Sequence, residues 1–320
     1  MIESISRNIA ALVLVISALV LAGWLSNSEA LLYFLAMVMA WSIFAGGFDI
    51  VFGVTGLLSF GHSAFFGLGA YVFGILTTRL NVPWTVALLC AGLAAGFLGI
   101  LFGLITRRVS GLYYSLITLA VAEFLSALCI TGLRTVTGGA DGIPGLPRPQ
   151  ALGIDFFAMA NFYWVMLTWF AISIGCLGLL RASPLGRALL AVKQNEVRAQ
   201  HLGFNIFRMK TAAFVISGFF SGLAGGLVAS LLNFSSPSAF SWGTSGDVLI
   251  MTLLGGAGTL FGPLMGALAF EAMREFLSQY TVHWYGLLGG IFILCTIFLP
   301  GGLLGAVQAA SGRRARGSGR

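Results

Sequence analysis

The residues best suited to handle a polar solute lie in one run, Asp49-Ile-Val-Phe-Gly-Val-Thr-Gly-Leu-Leu-Ser-Phe-Gly-His62-Ser63, which joins two apolar stretches. It mixes glycine with Thr55, Ser59, His62 and Ser63 in an otherwise apolar setting. Non-helical backbone at membrane depth is tolerated only where protein or a water-filled cavity surrounds it. A broken helix there aims backbone groups at a polar solute. The run is therefore either an element of a translocation path, with Thr55, Gly56, Ser59, Gly61, His62 and Ser63 as its candidate positions, or a tight cytoplasmic turn with a helix-capping serine. A second set is ionisable and lies inside apolar stretches: Glu123, Asp247, and the group Glu271, Arg274 and Glu275. A charge at such depth costs roughly 2.5–3.5 kcal/mol on insertion scales. The spacing of Glu271, Arg274 and Glu275 puts them on one helical face, as an interfacial ion-pair cluster near a helix end would be. Asp247 follows Gly243-Thr-Ser-Gly and fits the first turn of a helix, where the dipole favours an anion. Glu123 sits in the middle of its stretch and either pairs with a neighbouring helix or lines the path.

No residue set supports covalent or nucleotide chemistry. Lys210-Thr211 resembles the end of a phosphate-binding loop, but Met209 stands where that motif requires glycine. Gly67-Leu68-Gly69 lacks the third glycine of a dinucleotide motif. His62, His201 and His283 have no metal-ligand spacing, and no G-x-S-x-G occurs. Cys90, Cys129, Cys176 and Cys295 each sit in a separate apolar run, so they read as small buried residues rather than as disulfides or metal ligands.

The elements that must position these residues follow from composition. Of 320 residues, 58% are apolar and 8% charged, where soluble domains carry about 25% charged residues. Mean hydropathy is +0.97. A soluble chain of this length cannot hide so much apolar surface, so the fold expected is an all-α, polytopic membrane helix bundle. Apolar runs near 8–25, 29–48, 62–79, 83–105, 112–131, 161–181, 211–232, 245–262, 263–279 and 284–300 suggest about ten spans, the last three merged and compatible with a re-entrant segment. Small-x-x-x-small pairs Gly92/Gly96, Gly99/Gly103, Gly218/Gly222 and Gly222/Gly226 allow close helix approach, within the chain or to a partner.

The net charge of +7 reads as topology rather than nucleic-acid binding. Six of the 17 basic residues, Arg181, Arg187, Lys193, Arg198, Arg208 and Lys210, fall in 181–210, which should be cytoplasmic. Counting spans outward puts Arg7, Arg107, Arg108 and the arginine-rich end inside too, with both termini cytoplasmic and Arg79, Arg134 and Arg148 outside. The chain divides into a single transmembrane domain, 1–305, with a cytoplasmic segment at 182–210, and a disordered basic tail, 306–320, in reach of lipid headgroups. The Gly/Pro-dense outer connection at 132–160 is either part of a docking surface or a rigid loop.

Within the cytoplasmic segment, Ser183-Pro184 is a helix start and Gly203 a stop. Leu185, Leu189, Val192, Ala199 and Leu202 form an apolar stripe between them, which predicts one amphipathic helix from about Ser183 to Gly203. Such a helix either lies on the membrane surface or fills a groove on a partner.

Five stretches together resemble the branched-chain amino acid ABC-importer permeases: GVTGLLSFGHSAFFGLGAY at 53–71, TGGADGIPGLP at 137–147, SPLGRALLAVKQNEVRAQHLGFNIFRMKTAAFVISGFFSGLAGGL at 183–227, LLGGAGTLFGPLMGA at 253–267 and LPGGLLG at 299–305. The DGIPG loop and long cytoplasmic segment resemble the LivM-type of the two permease paralogues. The resemblance implies a multi-pass protein of the bacterial inner membrane, with a bundle similar to ribose- and vitamin-type ABC importer permeases. It would carry branched-chain or related hydrophobic amino acids, although related permeases handle urea, short amides or carboxylates. Implied partners are a LivH-type permease subunit, two ATP-binding subunits and a periplasmic solute-binding protein, besides membrane lipid. ATP and Mg would sit on the partners, with no cofactor in this chain and no catalysis by it. The ATPase-coupling positions would be Pro184, Gly186, Arg187, Glu196, Ala199 and Gly203, although Arg198 and Gln200 depart from the coupling motif. A stand-alone secondary transporter is the rival class; it needs ion-coupling charges and an inverted repeat, and here the intramembrane charges are few.

Overall fold

The computed structural model describes residues 2–26, 28–109, 111–149, 156, 158–281, 283–299 and 301–306, with side chains from Ala10 onward. The Arg7 side chain and the basic tail, except its first residue, lie outside the described residues.

The long apolar runs become helices, because a backbone out of reach of water must satisfy its own hydrogen bonds. In chain order they are α1 (Ile2–Leu25), α2 (Glu29–Asp49), α3 (Ser63–Thr78), α4 (Trp84–Ile105), α5 (Leu112–Ala127), the single turn α6 (Arg134–Thr137), α7 (Met159–Ala182), the short pair α8 (Pro184–Gln194) and α9 (Glu196–His201), and then α10 (Ile206–Leu232), α11 (Trp242–Gly255), α12 (Gly262–Tyr280) and α13 (Trp284–Phe298). Ten of these have fourteen residues or more and match the ten apolar runs in the sequence. Among the described residues, five segments are long and apolar enough to cross a membrane: Glu29–Val54, Trp84–Ile105, Leu112–Gly132, Met159–Ala182 and Ile206–Leu232. Large apolar side chains such as Leu93 and Phe97 on α4 and Ile297 on α13 face outward, as lipid-facing positions do.

Helices α2 and α10 form the centre. Every residue of α2 from Ala36 to Asp49 is buried, the all-round burial of a core helix. The α10 helix packs on α4, α3 and α2, and α2 also meets α7, α11 and α12. The small-residue pairs act inside the chain: a Cβ on Gly222 would lie 2.4 Å from Ala95 Cβ, and one on Gly99 would lie 2.5 Å from the Phe214 carbonyl oxygen. Glycine is what lets the α4 and α10 backbones approach this closely. The cysteines are free, and Cys129 is buried while Cys176 is exposed.

At the end of the bundle where α10 finishes, part of the Gly/Pro-rich connection is held against the residues that follow α10. Ile143–Pro144 (β1) pairs antiparallel with Phe234–Ser235 (β2), Ile143 opposite Ser235. The N–H groups of Gly145 and Leu146 both donate to the Asn233 carbonyl. At the opposite end, the Arg107 guanidinium lies 4.9 Å over the Phe207 ring, which brings the turn after α4 beside the charged segment before α10.

Two sequence expectations are corrected. The segment 183–203 is two helices rather than one. Asn195 adopts extended backbone (φ −165°, ψ 108°), and its side chain accepts from the Arg198 N–H. An asparagine that can cap a new helix competes with continuing the old one, so the apolar stripe carries on across a break. Asp247 lies in the second turn of α11, because Ser241 caps that helix by accepting from the Thr244 N–H.

Candidate functional site

The run after α2 is the break the sequence predicts. Ile50–Val54 continues α2 as a π-helical turn, and residues 55–62 are non-helical. Thr55 is buried, and its hydroxyl donates to the Ile50 carbonyl at 2.8 Å, closing the wide turn. Gly56 then takes φ +81°, a conformation that glycine adopts without penalty. The loop leans on α5: the Phe60 N–H donates to Thr118 Oγ1, and Ser115 Oγ donates to the Leu58 carbonyl. Gly61 is needed for this contact, since a Cβ there would lie 1.9 Å from the Thr118 carbonyl oxygen.

Below the loop the polar groups turn inward. His62 is fully buried, its Nε2 lies 2.7 Å from Ser217 Oγ, and Phe48, Phe65 and Phe214 surround the ring. Ser63 begins α3 but does not cap it. Its N–H donates to Ser245 Oγ and its hydroxyl to the Phe240 carbonyl, so it ties α3 to the start of α11. Ser59 is buried with no hydrogen-bond partner for its hydroxyl among the described residues. Glu123 stands apart, on the outward face of α5 beside the exposed Phe124.

The charged segment grips this break. Ser183 caps α8 by accepting from the Gly186 N–H at 3.2 Å, and Pro184 opens the helix. Gly186 permits the sharp α7–α8 turn, because a Cβ would lie 2.5 Å from the Leu180 carbonyl oxygen. From α8, the Lys193 ammonium donates to the Gly53 carbonyl at 2.6 Å, inside the π turn. From the end of α7, Arg181 pairs with the fully buried Asp49, whose other oxygen accepts from the Gly258 N–H at 2.8 Å. Asp49 thus joins the ends of α2 and α7 to the α11–α12 turn. Arg187 and Glu196 are exposed on this face, Glu196 pairing with Lys210 Nζ at 2.7 Å. Ala199 is buried, and Gly203 ends α9 at φ +89°. Pro184, Gly186, Arg187, Glu196, Ala199 and Gly203 therefore fall in one helix–break–helix unit, which is joined to the break by Lys193 and Arg181. Sequence reading passed over Asp49, Arg181 and Lys193 as site residues. One signal was present: an aspartate at a helix C-terminus opposes the dipole and calls for a partner elsewhere.

At the other end lies a cavity of about 1090 Å³, bounded by α2, α3, α10, α11, α12 and α13. Glu29, Arg148, Asp247, Glu271, Arg274 and Glu275 reach its wall, with Trp41 and Phe66 stacked at 5.4 Å on an apolar side. The group expected near a helix end therefore lines a chamber, with Glu271 and Arg274 paired at 3.3 Å. Thr55, Gly56, Ser59, Gly61, His62, Ser63 and Glu123 lie off this wall, but Phe66, four residues past His62, is on it. Among the described residues, no group of His, Cys, Asp and Glu could hold a metal ion. The arrangement is an open chamber at one end and a close-packed break at the other, gripped by a charged helix pair.

Comparison with known proteins matches residues 30–297 to the family described as the branched-chain amino acid transport system permease component. The chain is similar to the high-affinity branched-chain amino acid transport system permease protein LivM of Escherichia coli, 32% identical over 84% of this chain and 68% of that protein. It is also similar to LivH of Salmonella typhimurium, 25% identical over 87% of this chain and 97% of that protein. To the ribose import permease protein RbsC of Haemophilus influenzae it is 26% identical, over 69% and 68%. No solved structure matches the chain.

Proposed function

The chain belongs to the family of branched-chain amino acid transport system permease components of ABC importers, and from that premise we propose how it works: the α8–α9 pair receives the stroke of an ATP-binding subunit and passes it to the break after α2. The observation that carries this reading is the Lys193–Gly53 hydrogen bond, helped by the Arg181–Asp49 pair. Both link the charged segment to the one place where a central helix is already unwound.

The chamber at the far end is then the outward-facing part of the path, and residues 55–63 are its closed inner gate. ATP-driven movement of α8 pulls on the π turn, shifts the packing of His62 and Ser63, and biases the bundle between outward- and inward-open states. Such a shift needs only that the ATPase dock differently on the two states. ATP and Mg act on the two ATP-binding subunits, and this chain itself hydrolyses nothing. The α8–α9 end faces the cytoplasm in keeping with its basic residues, and a periplasmic binding protein delivers solute to the chamber. Glu123, exposed on the outward face of α5, is costly against lipid; a second permease subunit of the LivH type packed there covers it and lets it face a shared path.

The test is reconstitution with the second permease, both ATP-binding subunits and the binding protein in proteoliposomes. ATP-dependent uptake of labelled leucine, isoleucine and valine is the expected result, with urea, short amides and simple carboxylates as poor competitors. Uptake by this chain alone, driven by an ion gradient without ATP, would contradict the reading.

A further inference from the structure

Charged side chains reach the outer chamber from separate elements: Glu29 from α2, Asp247 from α11, Glu271, Arg274 and Glu275 from α12, and Arg148 from the connection before α7. Glu271 and Arg274 pair through one contact at 3.3 Å on α12. Asp247, one helix away on α11, makes no hydrogen bond or ion pair among the described residues, although Arg274 and Glu271 are near enough for their fields to reach it. Arg274 spends one N–H on Glu271 and is steadied by the Trp284 ring, 5.9 Å from its Cζ. A guanidinium carries five donors in a fixed fork, so donors remain. Trp41 and Phe66, stacked at 5.4 Å, give the chamber an aromatic wall. The chamber therefore combines an unpaired carboxylate, a guanidinium with donors to spare and an apolar wall. Its volume of about 1090 Å³ is just above the range of small-molecule sites, about 300–1,000 Å³, so a single amino acid fits with room to spare.

We infer that this chamber is a zwitterion-binding site within the single subunit: Asp247 takes the α-ammonium of an L-amino acid, Arg274 takes its α-carboxylate, and the Trp41–Phe66 wall takes its apolar side chain. A zwitterion leaving water must have both charges matched, and Asp247 and Arg274 supply the two opposite partners. The Glu271 pair holds Arg274 beside Asp247 while leaving Asp247 itself open. The permease thus has an affinity of its own for solute, separate from that of the binding protein. The inference rests on the importer reading, because only then does an amino acid enter this end.

The test uses the whole permease–ATPase complex in lipid nanodiscs, without binding protein or ATP, and measures equilibrium binding of labelled L-leucine. Saturable binding is expected in the wild type. Leucinol, which lacks the carboxylate, and N-acetyl-L-leucine, which lacks the ammonium, should each compete at least tenfold more weakly than leucine; this arm needs no variant to fold. Asp247→Asn should weaken leucine at least tenfold and abolish its advantage over N-acetyl-L-leucine, while Arg274→Gln should abolish its advantage over leucinol. The absence of saturable leucine binding, or leucinol binding as well as leucine, would overturn the inference. So would an Asp247→Asn complex that binds leucine normally but binds the binding protein poorly, which would make Asp247 a docking point for a cationic side chain of that protein. ATP-driven uptake by the wild-type importer tests the importer reading separately, and it can succeed where the binding test fails.

Discussion

Lys193 reaches from α8 to the carbonyl of Gly53 at 2.6 Å, so a lysine on the charged helix pair occupies an acceptor that the end of the helix leaves unpaired. A regular helix would offer that carbonyl to the N–H four residues on. Here the helix has ended and the Leu57 N–H donates to the Val51 carbonyl instead, so the lysine turns a helix end into a joint between two elements 140 residues apart.

Asp49 and Arg181 should behave as a buried pair. Removing one partner leaves a charge without compensation, which costs about 3–5 kcal/mol. Asp49→Ala or Arg181→Ala alone should therefore lower the thermal unfolding temperature of the detergent-solubilised complex sharply. The double variant should be less destabilised than the sum of the two. Additive losses would show that the two side chains do not interact.

The α4–α10 contact should tolerate no side chain at Gly99. Valine there must displace the Phe214 carbonyl, and overpacking of this kind costs about 1–3 kcal/mol. Gly99→Val should reduce the yield of folded protein, whereas Gly175→Ala, which meets nothing within 4 Å, should not. Equal yields of the two variants would remove close packing as the reason for glycine at position 99.

Glu196 and Asn195 separate stability from coupling. The Glu196–Lys210 pair is half exposed on the glutamate side although Lys210 is buried, and the amide oxygen of Glu196→Gln can still accept from the ammonium, so that variant should change stability by only about 1 kcal/mol. Asn195→Ala removes the α9 cap at a cost of about 1 kcal/mol. Both should reduce ATP-dependent uptake more than they reduce stability, and the binding protein's own affinity for solute should stay unchanged. Wild-type uptake by both variants would take the α8–α9 junction out of the coupling path.

What the sequence made legible was local. Ser183, Pro184 and Gly203 bound the charged segment because caps act on their own neighbours. The unwound run after α2 was readable from its glycines and hydroxyls. The break at Asn195 was hidden because the apolar stripe from Leu185 to Leu202 runs through it, and periodicity outweighs a single capping residue in such a reading. Asp49 was hidden as a hub because its partners Arg181 and Gly258 lie 132 and 209 residues away. The chamber was half legible: Asp247, Glu271 and Arg274 stood out as charges at membrane depth, but only the packing of α11 against α12 brings them to one wall.

The most direct test of the account is the Lys193→Met variant in the reconstituted importer, with leucine uptake and ATP hydrolysis measured together. Methionine keeps much of the apolar stem and removes the ammonium that holds Gly53. The account predicts that ATP hydrolysis persists while leucine carried per ATP falls at least tenfold. Leucine carried per ATP at the wild-type ratio would contradict it.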